Sequence, residues 1–181
     1  RGRAGEQLRK TILRLQDNLT AIERCAKPVL AAIHSTCYGG GVDIISCADM
    51  RYCTPQARFA IKEIDVGLVA DVGSLQRLPH IIGGGLVREL AYTGRDMFAE
   101  EAYAVRLVNK VFEDETTMLQ GVQTIAHQIA AKTPLAIRGT KAALLYARDH
   151  TVSDGLDYAA TWNSAMLSFD DVDTALAGSR T

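Results

Sequence analysis

KPVLAAIHSTCYGGGVDIISCADMRYCTPQARFAIKEIDVGLVADVGSLQR, residues 27–77, is the segment from which the fold class follows. An apolar run from Val29 to Ile33, opened by Pro28, predicts a buried β-strand. Three consecutive glycines, residues 39–41, interrupt this run. The apolar residues that follow have helical spacing: Val42, Ile44, Ile45, Cys47 and Ala48. The segment therefore predicts a strand, a glycine turn and the start of a helix.

The glycine turn is a candidate binding site for an oxygen that becomes anionic during a reaction. Glycine allows a ligand to approach the backbone closely, and the first amides of a helix have no acceptor inside it. Taken alone, however, a glycine triplet is more typical of an ordinary tight turn. A phosphate-binding P-loop is disfavoured because no Lys-Ser/Thr follows the glycines. A functional turn and a structural turn therefore both remain open from the residues themselves.

Three acidic residues near this turn suggest proton transfer beside a stabilised oxyanion. Asp43 lies one turn into the predicted helix, and Glu63 and Asp71 follow it in the same segment. Each of them, considered singly, is more often a solvated or helix-capping acid. Their placement together favours the functional interpretation only modestly.

Composition restricts the class of protein. The chain has 181 residues, 48% apolar content and a net charge of −1, which is typical of a sizeable globular domain without general attraction to nucleic acid or membranes. No apolar run approaches the length of a membrane span. The four cysteines lack the spacing of a zinc site or a disulfide framework, so we expect reduced core residues: Cys25, Cys37, Cys47 and Cys53.

The flanking segments predict helices and further strands. Apolar residues at helical spacing between Leu8 and Ile22 predict an amphipathic N-terminal helix. Residues 50–54 and 58–61 predict two short strands joined by a turn at Pro55, which favours an α/β core. From Thr116 onward the pattern is helical, and Pro134 is placed to begin a helix. We therefore expect an α/β core in residues 1–115 and a helical region in residues 116–181.

Several motifs together resemble the crotonase superfamily, the enoyl-CoA hydratase/isomerase group. They are KPVLAAIH, YGGGVDIISCADMRYCT, FAIKEIDVGL, GSLQRLPHIIG and LAYTGRDMFAEEAYAVRLVNKVF, and they follow one another over nearly all of residues 20–150. The resemblance implies a ββα spiral core followed by a C-terminal helical trimerisation region. Members of the family normally carry a substantial segment before the first helix of this chain. We therefore expect the N-terminal part of the core to be missing here.

Within that superfamily the chain looks most like the Δ3,5-Δ2,4-dienoyl-CoA isomerases of fatty-acid β-oxidation. The resemblance implies that the amide of Gly40 is an oxyanion-hole donor for the substrate thioester, and that Glu63 removes a proton from C2. Asp43 would protonate C6, and Asp71 would be a third acid of the pocket. Gly39, Gly41 and Leu68 are assigned to substrate binding. Neither a metal nor a redox cofactor is expected, since backbone amides would stabilise the enolate oxygen. The acyl-CoA thioester is the substrate and not a cofactor.

Other activities remain alternatives. An enoyl-CoA hydratase or a Δ3,Δ2-enoyl-CoA isomerase is the nearest alternative. Family hydratases usually have Glu at position 43 and Gly at position 71, so Asp43 and Asp71 favour the dienoyl-CoA isomerase over a hydratase. A non-catalytic acyl-CoA- or RNA-binding protein of the same fold is another, although the near-neutral charge argues against RNA. The resemblance further implies a homotrimer or a hexamer built as a dimer of trimers, and a mitochondrial or peroxisomal location.

Two residues depart from the family pattern. Ser35 stands where a glycine often follows the His of the strand, and Arg106 stands where a glycine usually precedes Leu-Val-Asn. Because glycine tolerates a positive φ and arginine does so poorly, we expect either replacement to reshape its turn.

Overall fold

The structure is a computed structural model that describes residues 2–178, apart from the side chains of 171, 175 and 178. Residue 1 and residues 179–181, at the outer ends of the two predicted regions, lie outside the described residues. The chain divides into two compact units, one of residues 2–25 and 29–122 and the other of residues 26–28 and 123–178. This division falls at a different residue from the predicted one, and the boundary at 115/116 stays a prediction.

Six short strands form two three-stranded sheets in the first unit. They are β1 (Leu30–Ile33), β2 (Thr36–Tyr38), β3 (Met50–Cys53), β4 (Arg58–Ala60), β5 (Met97–Phe98) and β6 (Lys110–Val111). In one sheet β3 lies between β1 and β6, and both pairs are parallel. In the other sheet β4 lies between β2, which is parallel to it, and β5, which is antiparallel.

Helices connect and follow these strands. They are α1 (Gly2–Arg24), α2 (Gly40–Ser46), α3 (Ser74–Arg77), α4 (Pro79–Ile82), α5 (Gly84–Thr93), α6 (Ala99–Ala104), α7 (Glu115–Ala130), α8 (Pro134–Asp149), α9 (Val152–Met166) and α10 (Phe169–Gly178). A 3₁₀ helix spans Glu63–Val66. Within residues 2–178, no helix combines the length and the apolar character that a membrane span requires.

The predicted elements are present, with three corrections near the glycines. Strand β2, between the predicted strand and the glycines, was missed. Helix α2 begins at Gly40, so only Gly39 forms the turn. The strands predicted at 50–54 and 58–61 are β3 and β4, but they belong to different sheets. The N-terminal helix and the helix beginning at Pro134 are confirmed.

The core of the first unit is apolar and tightly enclosed. Leu78 and Phe59 are 2% exposed and Met97 is fully buried. Burial also raises the pKa of the Cys37 thiol to about 11, so this thiol is protonated and unreactive at neutral pH. Cys47 and Cys53 are buried as predicted, whereas Cys25 is exposed, so the prediction of a core residue is wrong there.

The second unit contains a closely packed pair of helices, α8 and α9. The Trp162 indole lies directly over Gly139, where a side chain of any other residue would overlap it. The rings of Tyr146 and Tyr158 stack with centroids 4.4 Å apart, and the His150 ring stacks on the other side of Tyr146 at 3.7 Å. Glycine at 139 therefore allows α9 to approach α8 closely.

Arg106 adopts the left-handed conformation that arginine was expected to avoid. Its φ is +66°, and among the residues that the structure describes it is the only non-glycine with a positive φ. A β-carbon in this region costs about 1–2 kcal/mol relative to the right-handed conformation. The turn before Leu107 therefore carries local strain.

Candidate active site

The site is built around Gly39, which links β2 to α2. Its φ of +49° and ψ of −115° are accessible only to glycine without strain. The Gly39 amide donates to the carbonyl of Ala60 at 2.9 Å, which ties the turn to the end of β4. The Gly39 carbonyl accepts from the amides of Val42 and Asp43, at 2.8 and 3.1 Å, and so begins the helix.

Gly40 is the first residue of α2 and is exposed to solvent. A β-carbon at this position would meet no other described atom within 4 Å. The first amides of a helix have no acceptor within it, so this amide can donate to a bound oxygen. Gly41, the next residue, packs against the buried thiol of Cys37, whose sulfur lies 3.2 Å from the position of a Gly41 β-carbon.

Asp43 lies in the first turn of α2 and is fully buried. Its Oδ1 accepts a 2.7 Å hydrogen bond from the backbone amide of Ser74, which begins α3. Its main-chain carbonyl accepts from the Ser46 hydroxyl at 2.7 Å and from the Cys47 thiol at 3.3 Å. The carboxyl group is thus held on one oxygen, and the other, Oδ2, has no hydrogen-bond partner among the described residues.

Glu63 contacts Gly39 from the segment that follows β4, the parallel neighbour of β2. It lies three residues after the end of β4 and begins the 3₁₀ helix. Its Oε1 lies 3.1 Å from the position that a β-carbon on Gly39 would occupy. Its Oε2 is buried and, within residues 2–178, without a hydrogen-bond partner. The parallel pairing of Tyr38 with Ala60 is what places Glu63 beside the glycine turn.

The buried side-chain oxygens left without a partner belong to the two acids beside the glycine turn and to the serine bonded to Asp43. In the described part of the chain they are Asp43 Oδ2, Glu63 Oε2 and Ser74 Oγ. Folded proteins satisfy nearly all buried polar groups, because leaving one unpaired costs about 1–3 kcal/mol. A carboxyl oxygen without such a partner can exchange a proton with a molecule that binds within reach of it.

Asp71 and Leu68 occupy a different environment. The Asp71 side chain is exposed, and its carbonyl accepts from the Gln16 side chain at 2.5 Å. Leu68 is 61% exposed on the loop between the 3₁₀ helix and α3. The structure thus brings Asp43 and Glu63 to the glycine turn, whereas it leaves the Asp71 carboxylate in solvent.

Sequence reasoning missed Ser74, which is the residue that holds Asp43. The two residues are 31 positions apart, and no motif in the chain relates them. The signal available in the sequence was the glycine at position 73. In the structure Gly73 has a φ of +135°, which requires glycine and directs the amide of Ser74.

A second network braces the two backbone segments that carry the site. The Tyr38 hydroxyl donates to Asp96 at 2.6 Å, and the Lys62 ammonium lies 3.4 Å from the same carboxylate. Lys62 also donates to the carbonyl of Gly94 at 2.6 Å. The hydrogen bond from Tyr38 holds the pKa of Asp96 below its usual range. Since Tyr38 precedes Gly39 and Lys62 precedes Glu63, this network supports both sides of the turn.

The acidic residues of the site do not extend into a cluster of metal ligands. Within residues 2–178, no group of three or more His, Cys, Asp or Glu side chains is arranged to hold a metal ion.

Comparisons with known proteins agree on one family. The model of the enoyl-CoA hydratase/isomerase family matches residues 2–178. The peroxisomal Delta(3,5)-Delta(2,4)-dienoyl-CoA isomerase of Arabidopsis thaliana is 53% identical over 177 residues, which cover 98% of this chain and 64% of the relative. The mitochondrial enzyme of that name from Rattus norvegicus is 53% identical over 166 residues, covering 91% of this chain and 51% of the relative.

A solved structure is also similar. The enoyl-CoA hydratase/isomerase from Cupriavidus metallidurans CH34 superposes with a TM-score of 0.86 at 29% identity, covering 90% of this chain and 61% of that protein. The chain spans about half to two thirds of the length of the two curated relatives, namely 51% and 64%.

Proposed function

The chain belongs to the enoyl-CoA hydratase/isomerase family and has its crotonase fold, as its motifs predicted, and from this we propose that it converts 3,5-dienoyl-CoA to 2,4-dienoyl-CoA. Relatives that are 53% identical to it carry the name of this isomerase in a plant and a mammal. The proposal places the protein in fatty-acid β-oxidation, with an acyl-CoA thioester as its substrate.

One observation carries the proposal. The amide of Asp43 donates to the Gly39 carbonyl and the carboxyl group of Glu63 lies against Gly39, and each acid has one buried carboxyl oxygen without a partner among the described residues. Moving two conjugated double bonds requires a proton to leave one carbon and another to reach a carbon several ångströms away. Two separate carboxyl groups are suited to this task, whereas hydration requires two acids that hold one water molecule.

The proposed reaction has two proton transfers. Glu63 Oε2 takes a proton from C2, and the electron pair moves into the thioester to give an enolate. The amide of Gly40 donates to the enolate oxygen and stabilises its charge. The electrons then shift along the chain while Asp43 Oδ2 delivers its proton to C6. Exchange of protons with solvent returns both carboxyl groups to their starting states. Since there is no net oxidation, the proposed reaction needs no redox cofactor, and the Gly40 amide takes the role that a metal would have at the enolate oxygen.

The remaining predicted residues have supporting roles in this proposal. Gly39 and Gly41 give the acyl group close access to the backbone, and Leu68 contacts the acyl chain. Asp71, which is exposed on the loop leading to α3, acts on Asp43 and Glu63 through its charge. This role makes Asp71 less important for the rate than Asp43 or Glu63.

Assembly and location are proposed with the same function. Exposed apolar side chains in the second unit, including Leu144 at 69%, Leu156 at 67% and Phe169 at 75%, support a homotrimer or a dimer of trimers. The names of the two curated relatives support a mitochondrial or peroxisomal location.

The proposal is tested by comparing 3,5-dienoyl-CoA with 2-enoyl-CoA as substrates. We expect isomerisation of the dienoyl thioester to dominate, and Asp43→Asn and Glu63→Gln to lower kcat by about 10²–10⁴-fold. Asp65→Asn is the matched control, because this acid follows Glu63 by two residues and its side chain is 52% exposed. Preferential hydration of 2-enoyl-CoA, or full activity of either variant, would contradict the proposal.

A further inference from the structure

Ser74 forms a hydrogen bond with the carboxyl group of Asp43. It is 1% exposed, and its amide donates to Asp43 Oδ1 at 2.7 Å. The contact joins α3 to the first turn of α2, so any displacement of Ser74 displaces the proposed acid.

The fold holds Ser74 rigidly. Gly73, directly before it, has a φ of +135°, and a β-carbon on Gly73 would overlap the guanidinium of Arg77. Arg77 forms a mostly buried ion pair with Glu23 of α1, and the two side chains are only 13% and 12% exposed. Arg77 also donates to the Thr20 hydroxyl at 3.1 Å. The amide of Ser74 is therefore fixed by a long helix on one side and by Asp43 on the other.

The side chain of Ser74 has no evident structural role. Its Oγ is buried and has no hydrogen-bond partner in the described part of the chain, and neither has Asp43 Oδ2. A serine hydroxyl lies roughly 3–4 Å from its own amide nitrogen and changes position by rotation between staggered rotamers. Because that amide is bound to Oδ1, the hydroxyl can reach the Asp43 carboxyl group by rotation.

We propose that Ser74 is a positioning residue for proton delivery by Asp43, an inference that rests on the proposed isomerase function. The amide holds Oδ1, which leaves Oδ2 as the oxygen that carries the proton. When this proton moves to C6, Asp43 becomes a buried carboxylate. The Ser74 hydroxyl then rotates and donates a hydrogen bond to this carboxylate while keeping its own proton. Ser74 thus stabilises Asp43 in the form that follows proton delivery.

The size of the effect follows from the strength of such a bond. A buried hydrogen bond to a charged group is strong enough to change a rate by roughly ten- to a hundredfold. Removal of the hydroxyl leaves the amide contact and the backbone unchanged. The protein loses no hydrogen bond of the folded state, because Ser74 Oγ makes none among the described residues. Ser74→Ala should therefore leave the thermal unfolding midpoint no lower than that of the wild type.

The experiment follows each proton separately in D₂O, with 3,5-dienoyl-CoA as the probe. Appearance of the 2,4-dienoyl thioester reports delivery to C6, and deuterium in recovered substrate reports removal of the C2 proton by Glu63. In Ser74→Ala we expect product formation to fall roughly ten- to a hundredfold while exchange at C2 continues. Ser74→Thr, which keeps the hydroxyl, should recover the rate, and Ser74→Cys, a weaker donor, should be intermediate.

Ser46→Ala is the matched control. Its hydroxyl belongs to a buried residue, as that of Ser74 does, but it donates to the main-chain carbonyl of Asp43, at 2.7 Å, and not to the carboxyl group. We expect this variant to lose stability and to keep both exchange and product formation. If Ser74→Ala forms product at the wild-type rate, or loses C2 exchange to the same degree as product, the role of Ser74 is overturned. A wild-type chain that neither exchanges nor isomerises would overturn the proposed function itself.

Discussion

Replacing Gly39 by alanine tests whether the glycine turn sets the position of Glu63. The substitution has two effects in the structure. The backbone at Gly39, with φ +49° and ψ −115°, lies in a region that a β-carbon disfavours. The new β-carbon would also lie 3.1 Å from Glu63 Oε1, which is closer than an ordinary contact. The carboxyl group must therefore move by roughly a few tenths of an ångström to restore van der Waals distance.

Strain and displacement affect stability and rate separately. A strained backbone of this kind costs about 1–3 kcal/mol, of which about 0.4–1 kcal/mol is regained because alanine restricts the unfolded chain. The expected net loss of stability is about 1–2 kcal/mol, which lowers the unfolding midpoint by roughly 2–8 °C for a chain of this size. Displacement of a catalytic group by about 1 Å can cost a hundredfold in rate, so a smaller shift of Glu63 should lower kcat about tenfold.

Two other glycines provide controls. Gly67 has a φ of +73°, and a β-carbon there would meet no described atom within 4 Å, so Gly67→Ala should lose stability and keep kcat. Gly40 has neither a positive φ nor such a neighbour among the described residues, so Gly40→Ala should unfold close to the wild-type temperature. The reasoning is refuted if Gly39→Ala isomerises dienoyl-CoA at the wild-type rate, or is as stable as Gly40→Ala.

Three further predictions concern stability. Arg106→Gly removes a side chain at φ +66° and should stabilise the protein by about 0.5–1 kcal/mol in urea unfolding, because relief of strain exceeds the entropy cost of glycine. Tyr38→Phe removes the hydrogen bond that lowers the pKa of Asp96. The stability that this bond contributes is fully present above the pKa of Asp96 in the unfolded chain, near 4. It is lost as the pH falls through the lower pKa of Asp96 in the folded protein. The variant should therefore be less stable than wild type at pH 7, with a smaller difference under acidic conditions. Gly139→Ala forces the Trp162 indole to move, and should cost about 1–3 kcal/mol and change the fluorescence of this single tryptophan.

Long periodic elements could be predicted from the chain alone. The apolar spacing in α1 and the proline that opens α8 are local signals, and both helices are present. The strand after Pro28 was equally clear, with its first residue at Leu30. These signals need no knowledge of which residues meet in space.

The features that sequence reasoning missed depend on contacts between distant residues. Strand β2 has three residues and is recognisable only by its pairing with β4, which the sequence does not reveal. The bond between Ser74 and Asp43 joins positions 31 residues apart. The sequence indicated three acids near the turn, but only packing distinguishes fully buried Asp43 from exposed Asp71.

A crystal structure with bound 2,4-dienoyl-CoA tests the central claim most directly. We expect the thioester oxygen to lie within hydrogen-bond distance of the Gly40 amide, at about 2.7–3.1 Å. Glu63 Oε2 should face C2 and Asp43 Oδ2 should face C6 of the same acyl chain. An acyl chain bound away from Gly39, or one that contacts neither carboxyl group, would contradict the claim.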